Sequence, residues 1–233
     1  MLILVLDIIM SGGDIDFISV IIAILSSLAV IFLTLPIHEF AHGFTAEKLG
    51  DKTPRWQGRI TLNPFAHIDW IGAAFIILFG FGWAKPVQVN MRSFKNPKVG
   101  MAIVAIAGPL SNLIVALICM LAMYGIMLIP LTGFAAIKII QYAVFFFSQI
   151  AWINIYLAVF NLIPVPPLDG SRVLTAFLPY KYYNMLMRYE QYIYFGLMVL
   201  IFSDVLDKPL GYAAGAIWNL ISRIAYLPFS FFG

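Results

Sequence analysis

Along this chain, long apolar runs alternate with short charged connectors. The first long run follows Asp14 and Asp16, which suit a helix-capping region, and predicts a helix over residues 17–49. At 1.5 Å per residue it would be roughly 50 Å long, more than a bilayer's hydrocarbon core, so its end should project from the membrane. Residues 51–70, "DKTPRWQGRITLNPFAHIDW", break the pattern with turn formers, and β-branched alternation around 59–62 predicts a short strand and loop. "IGAAFIILFGFGWA" at 71–84 offers about 14 apolar residues, roughly 21 Å as a helix, too short to span comfortably and predicted to re-enter as a hairpin. After "KPVQVNMRSFKNPK", a predicted loop or edge strand, long helices are expected at 99–129 and 134–163. "IPVPP" ends the second of these, because each proline removes a donor and restricts its predecessor. Weaker apolar segments at 193–206 and 211–232 complete the chain, with Arg223 leaving the last one open between a span and an interfacial helix.

Composition turns this pattern into a class. Residues are 62% hydrophobic and 11% charged, against roughly 25% charged in soluble domains. The expectation is an all-α polytopic membrane protein whose partner is the lipid bilayer, built as a single integral-membrane domain over 1–233 with no separate soluble unit. The formal charge of +3 is small, and the basic residues lie near the ends of apolar runs, which argues against nucleic acid and for lipid headgroups. Cys119, the only cysteine, lies inside "LIVALICMLAM" and suits a small core hydrophobe. The opening "MLILVLDIIMSGGDIDF" has no basic leading region and no small-residue cleavage site, so no cleaved signal peptide is expected.

Charge placement predicts orientation. Lys48, Lys52, Arg55, Arg59, Lys85, Arg92, Lys95, Lys98, Arg172, Lys181 and Arg188 are eleven of fourteen basic residues, and all fall on one side if 71–84 re-enters. The positive-inside rule makes that side cytoplasmic, in a multi-pass cell-membrane protein. Asp7, Asp14, Asp16, Asp204 and Asp207 then fall on the opposite side, and the N-terminus is outside.

Against this background "PIHEFAHGF" at 36–44 stands out. It sets His38, Glu39 and His42 into an otherwise apolar helix. With three histidines and three glutamates in the chain, chance would give an H-E-x-x-H about once in 3,000 such compositions. Ionisable groups inside a membrane are expensive and point to function. Residues i and i+4 share a helix face, so both imidazoles can take one metal, with Glu39 beside them as a base. Two histidines and a carboxylate, with a fourth position for water, is the ligand set of a catalytic zinc site. The predicted topology brings Asp169 to the same face as the third ligand, although "PPLDGS" alone suits an ordinary turn.

"HEFAH", "NPFAHID", "GWAKPVQVN", "AGPLSN" at 107–112 and "NLIPVPPLDGSR" at 161–172, in that order, resemble the site-2 protease family of intramembrane zinc metalloproteases, in its minimal, PDZ-less branch. The resemblance covers residues 30–180. It implies one zinc per chain on His38, His42 and Asp169, Glu39 as catalytic acid/base, and a substrate-contacting turn at Asn161, Pro164 and Pro166. It also implies a three-helix catalytic core within about 17–180, accessory segments at 181–233, and transmembrane proteins as substrates. The alternative class is a metal transporter or non-proteolytic metal-binding membrane protein. A transporter needs a through-path and commonly carries repeats, which are absent from this sequence.

Hydrolysis of a helical substrate requires unwinding it or adding it to a strand edge. Strand-like "GRITL" and "KPVQVN" are the candidates for that edge, or they simply close the cytoplasmic side. His67 is expected to bond a backbone carbonyl rather than act in catalysis. Asn112 and Asn154 suit interhelical bonding, the Gly108, Pro109 and Ser111 group suits close helix packing, and Pro36 is placed to perturb the first helix beside the histidines.

Overall fold

An unbroken apolar stretch with no competing backbone partner folds as helix, and the first such stretch forms α1 (Phe17–Lys48). Its one irregularity is a π-helical segment, Val30–Thr34, directly before Pro36. Proline has no N–H to give the carbonyl four residues back. The ladder there widens instead, with Leu35 N–H donating to Val30 O, five residues earlier. Within α1, Ser26 and Ser27 return their hydroxyls to the carbonyls of Ile22 (2.8 Å) and Ala23 (3.2 Å).

A computed structural model describes residues 17–79, 83–130, 132–203 and 205–230. Asp7, the Asp14 and Asp16 cap region, Asp204 and the chain's first residues lie outside that set. After α1 come α2 (Trp70–Phe79), α3 (Pro97–Met127), α4 (Phe134–Asn161), α5 (Asp169–Phe177), α6 (Tyr180–Arg188), α7 (Glu190–Phe202) and α8 (Asp207–Tyr226). Helices α1, α3 and α4, of 32, 31 and 28 residues, are long and apolar enough to cross a membrane. The chain is an all-α polytopic membrane protein.

Cap chemistry sets the start of α3. The Asn96 side chain accepts from Val99 N–H (3.4 Å), and Pro97 takes the first helical position, where its missing N–H does no harm. The core lies between α1, α3, α4 and α8, with Val30, Ala116, Met120, Ala151, Ile155 and Ala214 buried in it. Thr34 of the π segment accepts from Asn154 Nδ2 (3.2 Å), which ties α1 to α4.

Helix α2 is a single decapeptide capped by Asp69, whose Oδ1 accepts from Ile71 and Gly72 N–H (3.0 Å each). The chain then comes back to where it left. Lys85 N–H donates to His67 O (2.8 Å), and a Cβ on Gly72 would lie 2.9 Å from the backbone N of Trp83. Both ends of the hairpin therefore lie together, as the short apolar run predicts.

Two expectations need correction. No strand forms among the described residues: 59–63 and 83–90 are extended or bent but unpaired. The β-branched alternation is too short to pay for a ladder, and the amides of Lys85, Val87 and Asn90 bond to a turn carbonyl and to side-chain carboxylates instead. Asp207, expected at the opposite end from the basic residues, lies at the Asn161 end of α4. There it faces Tyr156 electrostatically, and α8 runs antiparallel to α4 with Trp218 against Trp152 (5.8 Å). The far end of α8 meets α3 through Tyr124 Oη and Ser222 Oγ (2.6 Å).

Candidate metal centre

His38 and His42 leave one face of α1, four residues apart, and both are buried. Each ring is oriented from α3. His38 Nδ1–H donates to Asn112 Oδ1 (3.3 Å) and His42 Nδ1–H to the Val104 carbonyl (2.8 Å). Oxygens of these types only accept, so each proton sits on Nδ1 and each Nε2 keeps its lone pair.

The two Nε2 atoms lie 3.0 Å apart, and Asp169 Oδ2 is 3.3 Å from each of them. Three acceptors thus converge with no donor among them. That is an arrangement only a cation satisfies. Tetrahedral zinc with ligands at 2.0–2.1 Å has ligand–ligand edges of about 3.3–3.4 Å, so the triangle matches one face of that tetrahedron.

Two glycines let the backbone come close enough. A Cβ on Gly108 of α3 would lie 2.6 Å from His38 Nε2 and would also overlap His42, so glycine here keeps space open in front of both histidines. Beside Asp169, a Cβ on Gly170 would overlap the carbonyls of Leu162 and Ile163, so the "IPVPPLDG" turn folds back on itself only with glycine there. The turn delivers Asp169 as the first residue of α5.

Glu39 is buried next to the histidines, and its Oε2 accepts the Val87 N–H (2.8 Å). Val87 belongs to an extended strap, 83–90, hung at three points. The other two are Lys85 N–H on His67 O (2.8 Å) and Asn90 N–H on Asp51 Oδ2 (2.6 Å). Asp51 is itself buried and also accepts from Thr53 N–H (3.0 Å) and Thr53 Oγ1 (2.6 Å).

The remaining predicted residues stand apart from this cluster. Asn161 ends α4 half-buried, Pro164 is exposed and Pro166 is buried. No hydrogen bond among the described residues joins Asn161 to His38, His42 or Asp169. His67 donates from Nε2 to Thr61 O (2.9 Å), the backbone bond expected of it. Sequence reasoning missed the part played by Asn112, assigned there only to helix pairing. Its spacing of four from Gly108 is the signal, because it places both on one face of α3.

The description of peptidase family M50 matches residues 123–203, from the end of α3 through Asp169 to α7. YwhC of Bacillus subtilis is 35% identical over 197 residues, covering 82% of this chain and 84% of YwhC. Rip2 of Mycolicibacterium smegmatis is 28% identical over 186 residues, covering 76% of this chain and 66% of Rip2. Zinc metalloprotease MJ0392 of Methanocaldococcus jannaschii is 29% identical over 153 residues, covering 66% of this chain and 34% of that protein. YwhC and Rip2 carry provisional zinc-metalloprotease names. No solved structure matches the chain significantly. An H-E-x-x-H helix, a convergent carboxylate and relatedness across four fifths of the chain agree, and the protein belongs to peptidase family M50, the site-2 proteases, as a zinc metalloendopeptidase.

Proposed function

We propose that this zinc metalloendopeptidase cuts peptide bonds within or near transmembrane segments of other membrane proteins, with one zinc per chain held by His38, His42 and Asp169. The observation that carries this reading is the convergence of the buried His38 and His42 with the half-buried Asp169, beside Glu39 on a membrane-spanning helix. Bound zinc supplies a Lewis acid for the scissile carbonyl and acidifies the attacking water towards pH ~7.

The chain's own groups do the rest. Asn112 and the Val104 carbonyl fix the imidazole tautomers, so that both Nε2 lone pairs stay available. Glu39 takes a proton from the attacking water and passes it to the leaving amine. The Val87 N–H holds Oε2, which leaves Oε1 as the proton-accepting oxygen. A transmembrane substrate must give up local helix before its carbonyl is reachable, because helical carbonyls are bonded within the ladder. The turn with Asn161, Pro164 and Pro166 contacts that unwound stretch, and the Asn161 amide binds its backbone or the developing oxyanion. Residues 17–180 form the catalytic core and 181–233 the accessory part, in a cell-membrane protein with its site towards the cytoplasm.

Co-expression of a panel of single-span proteins from the same genome with wild type or Glu39→Gln tests this. Cleavage fragments that appear with wild type and vanish with Glu39→Gln are the expected result. A panel cut equally in both would overturn the assignment.

A further inference from the structure

Lys85, Pro86 and Gln88, the strap residues flanking Val87, line an open cavity of about 650 Å³ together with Gln57, Arg59 and Phe65. Its lining carries two cations and no carboxylate. Arg59 uses one N–H on the Ala66 carbonyl and keeps four donors of its guanidinium for a ligand. Gln57 Nε2 donates to Gln88 Oε1 (3.0 Å), which joins the two sides of the cavity by an amide pair.

Cationic and aromatic groups adjoin in this cavity. The Arg59 carbonyl lies near Gly43, where a Cβ would be 3.8 Å from it, while the guanidinium reaches the Ala66 carbonyl next to Phe65. Phe65 itself lies level with Phe32 in the apolar part of α1, the two rings 6.3 Å apart. Beyond Phe65 the apolar surface continues over Trp70, 6.4 Å from it, and Ile71. Phe65, Trp70 and Ile71 are 68%, 66% and 65% exposed, as groups facing hydrocarbon rather than protein would be.

Two cations adjoining an exposed aromatic surface fit one kind of ligand. We propose that this cavity binds an anionic phospholipid, with its phosphodiester on Arg59 and Lys85 and its acyl chains along Phe65, Trp70 and Ile71. Guanidinium pairs with phosphate through parallel N–H bonds, lysine adds a point charge, and basic pockets beside interfacial aromatics are where headgroups settle. An acidic peptide fits less well. It would need backbone donors from the cavity wall, where Pro86 has none, and would leave the adjoining apolar surface unused.

Native mass spectrometry of the full chain, in neutral detergent micelles doped with equal phosphatidylglycerol, phosphatidylcholine and inorganic phosphate, tests the site without any cleavage. A failure here therefore leaves the proteolytic reading untouched. The expected result is selective retention of one phosphatidylglycerol. It should weaken about 30-fold in the R59Q/K85Q variant, the equivalent of about 2 kcal/mol for two basic contacts. The R59K/K85R variant should retain it, which separates lost charge from lost fold, and K208Q/R223Q on α8 should be unaffected. Equal retention of the two lipids, unchanged binding in R59Q/K85Q, or an equal loss in K208Q/R223Q would overturn the proposal. So would selective retention of inorganic phosphate, or displacement of the lipid by a peptide with an acidic juxtamembrane flank.

Discussion

His38 and His42 differ instructively from His67. All three are buried, His67 at 0% exposure and the other two at 7% and 8%, so burial does not separate them. All three also have one ring nitrogen bonded to an oxygen. The contrast lies in the second nitrogen. In His38 and His42 it faces the other's lone pair and a carboxylate within 3.3 Å, whereas Nδ1 of His67 has no hydrogen-bond partner. A buried histidine becomes a candidate ligand when its free lone pair meets others that only a cation can reconcile. Alone, it is a strut, and His67 holds the 61–67 turn to which the strap is tied.

Removing a member of the convergent set should break the comparison most completely. His38→Ala, His42→Ala and Asp169→Ala should each abolish both zinc binding and hydrolysis, as measured by metal content and cleavage of one preparation. Full zinc retention in Asp169→Ala would reduce that residue to a turn former. Glu39→Gln sharpens the contrast between ligand and base. It should keep zinc at the wild-type stoichiometry while turnover falls by about 10²- to 10⁴-fold.

Smaller effects test the supports. Asn161→Ala should retain zinc and lower turnover by roughly 100-fold, as for a missing oxyanion donor. Normal turnover with a lowered melting temperature would remove Asn161 from the site. For Asn112→Ala the expected change is a zinc affinity weakened about 10- to 100-fold, read by competition with a chelator. An affinity equal to wild type would make Asn112 a helix-pairing group only. The least functional change belongs to His67→Ala, with zinc affinity untouched and stability lowered by about 1–3 kcal/mol through loss of the buried bond to Thr61. Loss of zinc in that variant would erase the distinction between the two kinds of histidine.

Much of this architecture is legible in the chain because a bilayer leaves few alternatives. The runs expected at 17–49, 99–129 and 134–163 appear as Phe17–Lys48, Pro97–Met127 and Phe134–Asn161. Long apolar segments must satisfy their own backbone, so helix is the only economical choice and proline or turn chemistry marks the ends. The strand expected around 59–62 failed for the converse reason, and for the same reason the segment from Lys85 took its loop alternative rather than an edge strand. Near the end of a bundle, amides find carboxylates and turn carbonyls that local alternation does not reveal. Asp207 was misplaced because a count of spans does not say on which side the last helix starts when it packs back along α4.

By itself the sequence determined the helical bundle, the i and i+4 pairing of His38 with His42, the adjacent Glu39, and the glycines and prolines that permit tight approach. These follow from periodicity, from desolvation and from the stereochemistry of single residues. Only the tertiary structure decided that Asp169 closes the triangle at 3.3 Å from both rings, that Asn112 and Val104 select their tautomers, and that Val87 holds Glu39. Those contacts span 48 to 131 residues of chain. Their geometry depends on how α3 and the α4–α5 turn pack against α1, where Gly108 and Gly170 set the distance of approach, and no local pattern carries that information.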